Sequence, residues 1–331
     1  MKTLDILGLG CATVDDLLYV PNLPVADTKI RVVKHERQCG GLTGTALVTA
    51  ARLGARCAFA GLLGTDELTK VVEENFSREG VDVSFAPRCS DVSVTHSVII
   101  VANDTGSRNI FYRFDGRRGA DERLPDESTI RSARVLFIDE TGITGDLRAA
   151  SIARTAGIPI VGDFEAVDDP QFPELMALVD HLVLPYDLAK EITSKESPEA
   201  ATKALWNNDR RAVVVTCGSA GSYFLGEDGV IQHQPTFDVQ VVDTTGCGDV
   251  FHGAYTAALA RGATLNERVR LATAAAGLKA TQYGGQRGIP TGKEVEKFLR
   301  SATTTACNST NGQPRPEPLT GSKSPLGAEA K

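Results

Sequence analysis

Val241-Val242-Asp243-Thr244-Thr245-Gly246-Cys247-Gly248-Asp249-Val250-Phe251-His252-Gly253-Ala254 joins two kinds of sequence. Upstream, Val239, Val241 and Val242 with the β-branched Thr244 and Thr245 read as a strand end. Downstream, Ala254 to Arg261 has the small, Ala- and Leu-rich composition of a helix. The glycines therefore sit at a strand-to-helix turn. Gly246 and Gly248 flank one small residue, so the backbone can take up conformations closed to bulky side chains and a ligand can approach its amides. The first amides of the helix have no intrahelical partner and carry the positive end of its dipole, which makes the turn a pocket for an anion such as phosphate. Asp249 would repel that phosphate unless it has another task, and the obvious one is to accept the proton of a hydroxyl attacking it. Taken alone, Gly-Cys-Gly-Asp reads more readily as a loop with a helix cap.

Working outward, the 331 residues suffice for one sizeable α/β domain with a small appendage. With 42% hydrophobic and 23% charged residues the composition is that of a globular protein, and a net charge of −7 argues against a general binder of nucleic acid or anionic membrane. Seven cysteines, at 11, 39, 57, 89, 217, 247 and 307, are odd in number and form no Cys-x-x-Cys pair, which fits reduced thiols in a cytoplasm. No apolar run approaches the ~18 residues of a membrane span, and no signal-peptide pattern is present at Met1-Lys2-Thr3-Leu4-Asp5.

Leu4 to Cys11 reads as a buried parallel strand, with Gly10 leaving room for a ligand at its carboxyl end. Asp15 and Asp16 follow, on composition alone two solvated loop acids. Cys39-Gly40-Gly41 opens a helix from Thr45 to Leu53 that stops at Gly54. From Ala58 onward, apolar runs (CAFAGLLG, ARVLFID, IPIVGDF, HLVLP, RAVVVTCG) alternate with helical stretches, the pattern of a doubly wound, mostly parallel α/β sheet. Two segments break that rhythm. Residues 17–37 and 95–114 alternate polar with β-branched or aromatic residues (KIRVV, HSVIIV, NIFYRF), and Asp104-Thr105-Gly106-Ser107 offers a hairpin turn. They read as a small antiparallel sheet. The expected division is therefore a core of residues 1–16, 38–94 and 115–300, a β lid of 17–37 and 95–114, and a Thr-, Ser-, Gly- and Pro-rich tail, 303–331, expected to be disordered. Arg108, Arg113, Arg117 and Arg118 cluster where the lid returns to the core.

The string Asp-Thr-Thr-Gly-x-Gly-Asp-x-Phe-x-Gly-Ala closely resembles the C-terminal signature of the ribokinase-like (PfkB) carbohydrate kinases. The resemblance implies that Gly246, Cys247 and Gly248 form the anion hole for a transferred phosphate and that Asp249 is the catalytic base. Cys247 stands where Ala is usual, and its amide is still a donor. Gly40-Gly41 with Thr45, four residues beyond, resembles the N-terminal signature, in which the glycines and an Asn hold the sugar; Thr45 replaces that Asn with a single hydroxyl. Gly10 to Asp15 matches the spacing of the family's sugar-binding Asp. Thr216-Cys217-Gly218-Ser219-Ala220-Gly221 resembles the nucleotide-side Thr-x-Gly-x-x-Gly, giving Thr216, Gly218 and Gly221, although an ordinary tight turn reads the same way. Asp243 corresponds to the Asp that helps hold a monovalent cation such as K⁺ in many members.

One departure is sharper. Pro185 and Leu188 stand where the family usually has Asn-x-x-Glu arranging Mg²⁺ and phosphates, leaving Asp187, Glu191 or ordered water as substitutes. With Thr45 and the run QHQPTFDVQVVDTTGCGDVFHGA, this gives the chain the appearance of the sulfofructose kinase branch. The resemblance covers residues 4 to 300 and implies ATP- and Mg²⁺-dependent phosphorylation of a hydroxyl on a sugar or sugar-like molecule, by a homodimer joined through the lid, with no nucleic-acid or membrane partner. A nucleoside kinase and a non-catalytic sugar- or nucleotide-sensing homologue are the alternatives on the same scaffold.

Overall fold

The computed structural model describes residues 3–105 and 107–308, with 303–308 described by backbone alone. In chain order the elements are β1 (Leu4–Leu9), β2 (Thr13–Val20), β3 (Lys34–Gly40), α1 (Leu42–Arg52), β4 (Cys57–Phe59), α2 (Glu67–Glu79), β5 (Val81–Asp82), β6 (Thr95–Ala102) and β7 (Arg108–Arg113). Next come α3 (Glu127–Ser132), β8 (Ala133–Asp139), α4 (Ile143–Thr155), β9 (Ile160–Asp163), α5 (Phe172–Leu178), β10 (His181–Pro185), α6 (Tyr186–Thr193) and α7 (Pro198–Leu205). The chain finishes with β11 (Ala212–Thr216), β12 (Ser222–Gly226), β13 (Ile231–Gln234), α8 (Cys247–Ala260), α9 (Leu265–Ala280) and α10 (Gly292–Asn308). The tail expected from residue 303 thus begins as a continuation of α10, and 309–331 lie outside the described residues.

Nine strands form the large sheet in the order β13-β12-β11-β10-β9-β8-β1-β4-β5. From β11 to β5 every pairing is parallel, while β12 and β13 run antiparallel at one end. This is the α/β architecture expected from the alternating apolar runs. Their residues are apolar on both faces because helices cover both. Ile6, Val135 and Phe137 face one core, shared with α1, α8 and α9. Leu7, Leu136 and Ile138 face a second, shared with α4, α5 and α7. Each such side chain, fully buried, contributes roughly 1.5–3 kcal/mol.

The small sheet has the order β3-β2-β6-β7, with both outer pairs antiparallel and the central β2–β6 pair parallel. Residues 29–33, read from sequence as a strand, are not in one; β3 starts at Lys34. The reason is register. Pairing Lys34 with Tyr19 and Arg37 with Asp16 puts β3's charged residues beside their partners and leaves Val33 outside, 61% exposed. Leu17, Tyr19 and Ile99 form a separate small core on this sheet.

Two close approaches tie these parts together. The chain leaves the large sheet at Gly10, where a Cβ would stand 2.1 Å from Asp139 Oδ2 and 2.2 Å from Thr43 Oγ1. The space the sequence seemed to reserve there for a ligand is filled by that carboxylate and hydroxyl. Gly253, in the first turns of α8, lies against α1, and its Cβ would meet the Ala46 carbonyl at 2.2 Å. A side chain there would push apart the two helices whose N-termini meet at the site. Among the described residues no helix is long and apolar enough to cross a membrane.

Candidate active site

At the carboxyl edge of the parallel strands, beneath the small sheet, lies a cavity of about 1230 Å³. Ligands of open α/β sheets bind at that edge. Gly246, Gly248 and Asp249 reach it from the start of α8, Asp15 from β2 and Gly41 from the start of α1. Gly246 caps α8 at φ 74° and Gly41 caps α1 at φ 88°, left-handed conformations that favour glycine. Both helices therefore present their amino ends to one space. The Cys247 amide donates to the Thr244 carbonyl at 3.1 Å. Among the described residues, the amides of Gly246 and Gly248 have no backbone acceptor outside the helix, so these two are the donors open to an anion.

Asp249 is half-buried. Desolvation, followed by the carboxylates of Asp163 and Glu165, holds its carboxyl well above the usual carboxylate range. His252 locks the turn from beneath: Nε2 is 2.9 Å from the Val183 carbonyl, and Nδ1 is 2.9 Å from the Gly248 carbonyl and 3.3 Å from Asp163 Oδ1.

Asp15 and Asp16 are strand residues, and the period of two sends them to opposite faces. Asp15 lines the cavity beside Ser97, accepting a hydrogen bond from Thr13 Oγ1 at 3.2 Å. Burial raises its pKa and the Ser97 and Thr13 hydroxyls oppose that rise. Asp16 faces away, gripped by Arg37 at 2.7 and 2.8 Å, His96 at 2.8 Å and His35 at 3.1 Å, and Arg37 above all holds its carboxyl far below the usual range. Gly40 lies off the lining, where a Cβ would stand 2.5 Å from Asp15 Oδ2; its part is to leave that carboxylate room.

Thr45, Thr216, Gly218 and Gly221, also singled out in the sequence, do not line this cavity. Thr45 is 1% exposed, and its hydroxyl accepts from Gln286 Nε2 at 3.3 Å. Thr216 ends β11, with its hydroxyl donating to the Leu184 carbonyl at 3.4 Å, and Gly218 and Gly221 (φ 53° and 88°) shape the turn into β12. Of the arginine cluster, Arg113 pairs with Asp115 and Arg117 with Asp121, while Arg118 stacks over Phe114 at 3.8 Å. Arg117 and Arg118 line the cavity, and so does Arg108, which donates to Thr245 Oγ1 at 2.9 Å and links the small sheet to the glycine turn.

The model of the pfkB family of carbohydrate kinases matches residues 6–292. The chain belongs to that family. As a member it is an ATP-dependent carbohydrate kinase. It is similar to the ribokinase of Haemophilus influenzae, 28% identical over 317 residues covering 91% of this chain and 99% of the relative. It is also similar to the ketohexokinase of Mus musculus, 28% identical over 301 residues covering 86% and 98%. Among solved structures, the Arabidopsis thaliana ribokinase complexed with ribose and ATP superposes with a TM-score of 0.80 at 25% identity, covering 90% of this chain and 99% of that one.

For this kinase the cofactors implied by the family fit unequally. Mg²⁺ is held by one or two carboxylates with waters and substrate phosphates, not by an all-protein cage. Accordingly, among the described residues no group of three or more His, Cys, Asp or Glu forms a metal cage. Leu188 is buried in the second core and Asp187 and Glu191 are exposed off the cavity, so the α6 positions hold nothing. Glu140 and Glu165, however, line the cavity with Asp249, and burial and Asp139 push Glu140 up to about 9. Asp163 Oδ2, buried, lacks a hydrogen-bond partner among the described residues. A divalent cation would relieve this crowd of acids, and Glu165 and Glu140 are the residues placed to hold it. A monovalent cation at Asp243 does not fit. Its carboxylate accepts the Thr245 and Gly284 amides, both at 2.8 Å, and its carbonyl accepts from Lys279 Nζ at 2.9 Å.

Sequence reading missed Glu140 and Glu165 on the cavity lining, and also Asp139. Its carboxylate takes the Cys11 amide and the Thr43 hydroxyl, both at 2.8 Å, and the Thr141 amide at 2.7 Å, clamping the β1–β2 link to α1 and β8. The available signal was an acid ending a buried apolar strand, as Asp163 does in β9.

Proposed function

We propose that the protein transfers the terminal phosphoryl group of ATP to a hydroxyl of a sugar or sugar derivative held by Asp15, with Asp249 accepting the hydroxyl proton. The observation that carries this reading is the meeting of Asp15, Gly41, Gly246, Gly248 and Asp249, from three elements distant in sequence, around one cavity. Asp15 holds sugar hydroxyls by charge-assisted hydrogen bonds. Asp249 takes the proton as the oxygen attacks, and the Gly246 and Gly248 amides, at the positive end of α8, stabilise charge on the phosphoryl group. Arg108 adds a cation on the same side. Mg²⁺, when bound, neutralises the nucleotide phosphates. Thr216 ends a strand parallel to those that build the cavity, Gly218 and Gly221 shape the turn that follows it, and the three serve the nucleotide. The unpaired thiols among the described residues favour a cytoplasmic setting.

The three cavity-lining arginines favour a sugar with an anionic substituent, as in the sulfofructose branch. ADP formation measured across ketoses, aldoses, sugar acids, sulfosugars and nucleosides tests this: turnover is expected with a sugar. Turnover with nucleosides alone would make the protein a nucleoside kinase, and sugar binding without turnover a sensor.

The small sheet also supports a homodimer through residues 17–37 and 95–114. β3 and β7 each leave one edge unpaired, and Phe111, on the face away from the cavity, is 59% exposed. Ile99 belongs to the sheet's own core at 7% exposure, so a charge there would test folding instead. Light scattering is expected to give a dimer mass at micromolar concentration and a monomer for Phe111→Glu. A wild-type monomer, or an undisturbed Phe111→Glu dimer, refutes this assembly.

A further inference from the structure

Lys279, in the last turn of α9, is fully enclosed, with 0% of its surface exposed. A lysine is almost never buried to that degree without a partner. Its hydrogen-bond partner is not a carboxylate: Nζ donates to the backbone carbonyl of Asp243, at 2.9 Å. The end of α9 and the loop beyond it hold that stretch at further points. The Val242 and Asp243 amides donate to the Ala280 carbonyl at 2.7 and 3.1 Å, and Cys247 Sγ lies 3.6 Å from the Ala276 carbonyl. The Asp243 carboxylate bridges the Thr245 amide to the Gly284 amide, both at 2.8 Å. The result is a short segment, leading directly into Gly246, whose carbonyl converges with the C-terminal end of a helix, a place of negative potential. A positive charge is what such a place attracts, and the chain supplies it covalently.

We propose that the Lys279 ammonium is a built-in substitute for a bound monovalent cation, a positioning residue that fixes segment 243–245 and through it the Gly246–Gly248 anion hole. The inference rests on the kinase reading above. It accounts for the misfit of K⁺ at Asp243, because the carbonyl oxygen a cation would use is already taken. It also gives the phosphoryl side of the site a cation that cannot dissociate, beside Arg108, which holds Thr245 from the small sheet.

The test is the cation dependence of the full-length enzyme, assayed with tetramethylammonium as the sole monovalent cation and then with K⁺ or NH₄⁺ added. Wild-type kcat is expected to stay flat. Lys279→Ala is expected to lose roughly 10–100-fold in kcat, the scale of one charge-assisted hydrogen bond, with sugar and ATP Kd near wild type. Added K⁺ or NH₄⁺, but not more tetramethylammonium, restores it, a rescue that simple loss of packing would not allow. The inference is overturned by K⁺ activation of the wild type, or by full Lys279→Ala activity in tetramethylammonium. Should the variant not fold, the wild-type titration decides alone. Thermal denaturation separates this inference from the kinase reading: a K⁺-specific rise in wild-type Tm overturns it even if no sugar is turned over, and an equal Tm in both salts upholds it. Absence of turnover with every panel substrate counts only against the kinase reading.

Discussion

Asp249→Asn is expected to lower turnover by ~10²–10⁴-fold, the usual consequence of losing a general base, while leaving ATP binding near wild type. The substitution keeps the side chain's shape at the start of α8 and the anion-hole amides beside it, so only the proton affinity changes. Near-normal turnover in the purified variant would sink the proposed mechanism. The pH profile gives a second handle. Asp249 accepts a proton only when ionised, and desolvation, Asp163 and Glu165 raise its pKa, so kcat/KM of the wild type should climb with pH through a limb above the ordinary carboxylate range. Stability should move oppositely. A carboxyl with a raised folded pKa adds nothing below its unfolded pKa, where both states are protonated, and destabilises the fold as pH rises past it. Asp249→Asn should therefore have a higher Tm than wild type at neutral pH and an equal one in strong acid. A lower Tm at neutral pH would show that the carboxylate is satisfied in the fold and not strained for function.

What could be read from sequence was what the backbone demands locally. The turn at Gly246 and the cap at Gly41 need left-handed conformations, and the buried parallel strands need runs apolar on both faces, so each announces itself within a few residues. The choice of Asp15 over Asp16 came from spacing in a family motif, and strand alternation supplies its physical reason: one faces the cavity, the other Arg37 and two histidines. What was illegible depends on partners far along the chain. Asp139 meets Cys11 across 128 positions and Thr43 across 96, and no local pattern marks an acid for such work. Residues 29–33 look more strand-like than Lys34-His35-Glu36-Arg37, yet the charged stretch won the pairing because Asp16 and Tyr19 lie opposite it. Thr45 occupies a motif position, but its hydroxyl is spent on Gln286, a residue of a loop that composition leaves undistinguished. Lys279 is the extreme case. It closes an Ala-rich helix where nothing in the local sequence sets it apart, and only the fold shows it enclosed.

Asp15→Ala is expected to abolish tight sugar binding and spare the nucleotide. A charge-assisted hydrogen bond contributes about 1.5–3 kcal/mol, so losing two to neighbouring sugar hydroxyls should raise the sugar Kd by ~10²–10⁴-fold. The fold should survive, since among the described residues Asp15 is held by the hydroxyls of Thr13 and Ser97 and burial already opposes its charge. The Gly turn, Arg108 and β11 are untouched, so ATP affinity should be unchanged in calorimetry. Asp15→Asn should fall between the two, because its amide still accepts a bond through oxygen but offers no charge. Asp16→Ala provides the contrast: its carboxylate faces Arg37, His35 and His96 on the outer surface of the small sheet, so its loss should lower Tm and leave sugar Kd nearly intact. Equal losses of sugar and ATP affinity in Asp15→Ala, or a larger sugar defect in Asp16→Ala, would place the sugar elsewhere than against the cavity face of β2.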